Sequence, residues 1–238
     1  MNTVTAADGI ARRARRETRW CGAAVTAAVL LFVVSAVAAS ADLRIALRWN
    51  TARLSAHMAP AMQAETSAIW TALGVTIVWD ACPPDCAVGG GLLLVVADGL
   101  VDAAPTGYAR LGQVTFVEGR PGGRLYVSAA AALDAIEQAA EKGGPFATLP
   151  TAARHDAAVR LMGRAAAHEL GHYLLGSAEH ASRGLMRRAF TADEGLARGP
   201  GPYGLDGPLR DRLRSRLDVL SQAEAGPPTT PPPGAIIR

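Results

Sequence analysis

From His168 to His180 the chain reads HELGHYLLGSAEH. Two histidines four residues apart, with a glutamate beside the first, aim at a common point when the backbone is α-helical, because the helix repeats about every 3.6 residues. The stretch therefore calls for a helix through His168 and His172, and Gly176 stands where a left-handed residue ends one. Imidazoles so placed suit a metal ion. Glu169 lies where a carboxylate reaches a metal-bound water without being a ligand itself. Catalytic zinc takes three protein ligands and keeps one position open. The third ligand is read as His180, with Glu194, Glu179 and Asp193 as open alternatives.

The remaining patterns say what carries this helix. LRIALRW (Leu43 to Trp49) alternates at period two and predicts a strand. Met58, Met62, Glu65, Ile69 and Leu73 fall three or four apart and mark one face of a helix that Gly74 ends. VTIVW (Val75 to Trp79) predicts a second strand, and the unbroken apolar LLLVVAD (Leu92 to Asp98) a third, buried on both faces. GQVTFVEG and GRLYVSA flank Arg120-Pro121-Gly122-Gly123 and predict a hairpin with its turn there. Helices are expected over Ala129 to Glu141, from after Pro150 to about Leu175 with Thr151 as N-cap, and over Pro208 to Leu220. This order predicts an α/β (α+β) domain over residues 42–221: a mixed, mostly parallel, twisted sheet of five strands, the motif helix beneath it, and a small C-terminal subdomain. Gln222 to Arg238, five of whose residues are proline, reads as a disordered tail.

Charge narrows the partners. The formal net charge is +3, but five of the 24 basic residues and two of the 21 acidic ones lie in residues 1–41, which leaves nineteen of each beyond. A domain with no net charge lacks the electrostatic footprint of a nucleic-acid binder. The early arginines (Arg12, Arg13, Arg15, Arg16, Arg19) precede an uncharged run from Cys21 to Ala41 that ends in Ala39-Ser40-Ala41. That is the layout of a signal peptide, and residues 21–41 are also long enough for a transmembrane anchor. Either outcome puts the domain outside the cytoplasm, secreted or periplasmic, with membrane contact only through this segment. Beyond it Cys82 and Cys86 form an even pair in CPPDC, expected as a disulfide in an oxidising compartment.

HELGHYLLGSAEH followed by ASRGLM resembles the metzincin clan of zinc peptidases. The clan's usual form is H-E-x-x-H-x-x-G-x-x-H with a methionine-containing turn farther on. Here the pattern is HExxHxxxGxxxH, one residue longer before the glycine and one after it. The resemblance extends loosely over Leu43 to Arg188. It implies Zn2+ held by His168, His172 and His180, Glu169 as general base, and Met186 in a turn under the metal. It further implies peptide or protein substrates, with GQVTFVEG as the edge strand that pairs with them, and a monomer is expected. Arg188 stands where some clan members carry a tyrosine. The function expected is an exported zinc metallopeptidase; the alternative is a non-catalytic zinc-binding envelope protein of the same fold.

Overall fold

The computed structural model describes residues 42–82, 91–99, 110–199 and 203–224. The expected export segment (residues 1–41), Cys86 and residues 225–238 of the expected tail lie outside them. Five strands form one sheet: β1 (Asp42–Asn50), β2 (Thr76–Ala81), β3 (Leu92–Ala97), β4 (Gly112–Val117) and β5 (Arg120–Ser128). Among the described residues four α-helices accompany it: α1 (Ala59–Thr71), α2 (Ala129–Glu141), α3 (Thr151–Leu175) and α4 (Gly207–Glu224). The strand order is β2-β1-β3-β5-β4, and β4 alone runs antiparallel to its neighbour. The mixed, mostly parallel α/β sheet is thus as the alternation of patterns implies.

Side-chain alternation explains which face meets the helices. In β1, Ile45 and Leu47 are buried while Arg44 is exposed. β3 is buried along Leu92 to Val96; Leu92, Leu94 and Val96 join the main core, and Leu93 and Val95 join Cys82 on the opposite face. Cys82 is disulfide-bonded.

Three local expectations change. The β4–β5 turn is Glu118-Gly119, both at positive φ (50° and 74°), and not Arg120 to Gly123. Two left-handed residues make the tight turn whose twist suits a hairpin. Pro121 instead lies within β5, opposite Phe116, where the register shifts and a missing N–H is tolerated. Thr151 is the first helical residue of α3, not its N-cap: Pro150 holds the extended cap position and contributes no side-chain bond. Finally, α4 extends through Glu224, past the expected tail boundary at Gln222.

α3 is the central element. From Ala157 to Leu175 nearly every residue is buried, between β4 and β5 and the helices α1 and α2. Small residues permit the close approach: a methyl group built on Gly163 would lie 2.7 Å from Glu65 Cβ and 2.9 Å from the Met62 carbonyl of α1. Across that contact Trp70 donates its indole N–H to the Ala167 carbonyl at 3.2 Å, and Thr66 donates to Gly163 O at 3.0 Å. Fully buried Leu161, Met162, Leu170 and Leu174 each contribute roughly 1.5–3 kcal/mol through burial. No helix among the described residues is long and apolar enough to cross a membrane.

Candidate metal centre

The last two turns of α3 carry His168, Glu169 and His172, all buried. The helix ends at Gly176, whose left-handed backbone (φ 60°, ψ 36°) reverses the chain. The return is pinned at once, with Ser177 N donating to His172 O at 3.2 Å. Farther on, Ala181 N donates to Met186 O at 2.8 Å, and Ala181 bridges to Arg187. This short parallel pairing sets His180 beside Met186 at the same end of two adjacent segments. His180 is thereby brought over the helix end, although it remains exposed.

The three imidazoles converge. One ligand atom from each of His168, His172 and His180 lies within 4.8 Å of the others. The His180 ring stacks on His168 at 5.2 Å and meets His172 edge-on at 4.9 Å. His168 Nδ1 lies 2.8 Å from the Leu185 carbonyl, and His172 Nδ1 lies 2.7 Å from the Ser177 carbonyl. A carbonyl only accepts, so each Nδ1 must carry the proton, leaving both Nε2 atoms as bare acceptors. These two Nε2 atoms are 3.0 Å apart. Two lone pairs facing each other at that distance in a buried site call for a cation between them. The donor set fits a metal such as zinc, and the backbone carbonyls supply the outer contacts that orient metal-binding histidines.

Electrostatics favour the ligand form. Burial lowers His168 to about 4, against the opposing pull of the Leu185 carbonyl, with His172, His180 and Arg187 adding to the depression. His172 and His180 are lowered as well, each mainly by burial, with Arg188 adding to the effect on His180. Neutral imidazoles are the species that bind metal. Glu169 shifts the other way: burial raises its carboxyl to about 8, partly offset by the Arg110 guanidinium and a hydrogen bond from the Val114 amide.

The other residues singled out in the sequence fall as follows. Met186 is buried, its sulfur packed into the notch left by Gly171 on α3, beside Trp70. Glu194 is engaged elsewhere: it pairs with Arg187, accepts from Thr191 N at 2.7 Å and from the Tyr203 hydroxyl at 3.3 Å, and caps a short 3-10 turn, Ala192–Gly195. Its carboxylate is therefore not the third ligand in this arrangement, and Glu179 and Asp193 are exposed outside the histidine group. Phe190, which no motif marked, sets its ring edge-on to His168 at 5.5 Å and forms one wall of the site.

No protein-family model matches the chain, and no curated protein does. Among solved structures it is similar to the archaemetzincin of Methanopyrus kandleri, at 13% identity and a TM-score of 0.47, over 76% of this chain and 99% of that one. So distant a likeness assigns no role to any residue.

Proposed function

We propose that the domain is a zinc-dependent peptidase acting outside the cytoplasm. One observation carries the reading: three imidazoles converge, two of them with tautomers fixed so that unprotonated nitrogens face each other, beside a buried carboxyl that is not among them. His168, His172 and His180 would hold the ion. When bound, zinc supplies a Lewis acid that polarises a substrate carbonyl and lowers the pKa of water.

Glu169 is the general base in this reading. A carboxyl whose pKa burial raises toward the working pH can, when ionised, take a proton from water and then return it to a leaving amine. Among the described residues β4 is the terminal strand of the sheet, and it adjoins the site through α3, so its outer edge suits an extended peptide held by backbone hydrogen bonds. Export is supported by the arginine-led apolar run of residues 12–41 and by the disulfide at Cys82.

The test is hydrolysis of a generic unfolded protein by the purified domain. Activity should be lost on chelation, and lost in Glu169→Ala with zinc content unchanged. Absence of bound zinc in the purified protein would sink the reading at its first step. A second reading, a zinc-clasped envelope protein without catalysis, draws on the same two carbonyls: Leu185 and Ser177 tie the site into the return loop, so the ion would staple the fold. It predicts that Glu169→Ala is silent while His168→Ala unfolds the domain.

A further inference from the structure

β4 opens on Gly112, and a glycine in a strand is a cost that needs a reason. Backbone freedom is not that reason, because Gly112 is not among the glycines at positive φ. Space is. A methyl group built there would lie 2.6 Å from Glu169 Cγ, 2.7 Å from its Oε1 and 3.0 Å from its Cδ, all well inside van der Waals contact. The Glu169 side chain is therefore seated on the bare Cα of Gly112.

The strand also aims it. Leu111 O accepts from Ser128 N at 2.9 Å, which places Leu111 and Gln113 among the residues bonded to β5. In an antiparallel ladder the alternate residues turn their N–H and C=O groups away, so Gly112 and Val114 face away from β5. The Val114 amide donates to the Glu169 carboxylate there.

We propose that Gly112 is a positioning residue for Glu169: its missing side chain lets the carboxylate lie against β4, where the Val114 amide orients it. Any L side chain at 112 pushes the carboxylate, or the strand, by roughly 1 Å, a displacement that can cost up to about a hundredfold in rate. The catalytic consequence rests on the peptidase reading; the packing consequence does not.

The experiment is a double-mutant cycle over Gly112→Ala and Glu169→Ala, read by thermal unfolding and by zinc content, with kinetics on Gly112→Ala alone. Gly112→Ala should lower the melting temperature by about 3 °C or more when Glu169 is present. In the Glu169→Ala background it should be neutral or raise it, because alanine is tolerated at this φ and restricts the unfolded chain. Zinc content should not change, and Gly112→Ala should lose at least about tenfold in kcat with KM changed less than about twofold. Should Gly112→Ala fail to fold, recovery of folded protein in the double variant supports the proposal. Equal destabilisation in both backgrounds, or full kcat in a folded Gly112→Ala, overturns it. The unfolding cycle needs no activity, so a wild type without peptidase activity would count against the peptidase reading while leaving the cycle to decide on Gly112.

Discussion

Arg164 and Glu169 sit little more than one helical turn apart on α3, both buried, and their surroundings treat them in opposite ways. Arg164 donates Nε to Glu65 at 2.8 Å and Nη2 to the Ala197 carbonyl at 2.7 Å, and its guanidinium lies 5.0 Å from the Tyr203 ring centroid. Glu169 receives the Val114 amide and the more distant influence of Arg110, too little to offset burial. A buried charge held by an ion pair and a carbonyl tethers elements together, here α1 and the 190s segment to α3, even though Arg164 Nη1 has no hydrogen-bond partner among the described residues. One left under-compensated has its proton affinity raised instead.

The largest effect that would break this contrast is catalytic. Glu169→Ala should lower peptide hydrolysis about 10²–10⁴-fold, measured by initial rates at equal zinc loading; rates within a few-fold of wild type would remove Glu169 from the chemistry. Next in size is the structural charge. Glu65→Ala should cost about 3–5 kcal/mol in urea unfolding because it strands Arg164 inside, whereas Glu65→Leu with Arg164→Met should cost far less. Similar losses in both would mean that the pair does not act as a unit.

A smaller effect turns on pH in the metal-free protein. The Glu169 carboxyl is raised from 4.5 to about 8 in the folded state, so ionisation favours the unfolded chain and stability falls as pH rises from 4.5 through 8. Glu169→Gln should therefore be more stable than wild type at pH 9, on the order of 2–4 kcal/mol, with the gain fading by pH 4.5. His168 works from the acid side. Lowered from 6.5 to about 4, it stays neutral while the unfolded chain protonates, so stability falls as pH drops through that window. Urea midpoints across pH 4–9 check both signs. The smallest effect supplies a baseline at the far end of α3: Thr151→Ala should change stability by less than about 0.5 kcal/mol, since its side chain caps nothing. A loss near 1 kcal/mol would restore Thr151 as a cap.

What could be read beforehand follows from where information resides in side chains. The bounds of α2 at Ala129 and Glu141, the end of α3 at Gly176 and the doubly buried β3 all follow from periodicity and glycine placement. The pattern puts the hairpin turn too late because Gly122-Gly123 advertises a turn more loudly than Glu118, a residue that seldom adopts positive φ. The short turn at Ala192 has too few residues to show a period, yet Thr191 and Glu194 form a capping box whose spacing is written in TADE. At the centre, a spacing of four makes the convergence of His168 and His172 legible. The Leu185 and Ser177 carbonyls are invisible, because every residue carries one, and the role of Gly112 is equally silent until β4 is laid against α3.

The two carbonyls that orient His168 and His172 have a consequence for how this centre tolerates change. Replacing the side chain at Ser177 or Leu185 leaves the carbonyl where it was, so the hydrogen bonds to the imidazoles are indifferent to spelling at those sites. Inserting or deleting one residue between Gly176 and Leu185 shifts the Leu185 carbonyl and the pairing of Ala181 with Met186 together. The return loop thus works as a ruler, open to substitution and closed to changes of length.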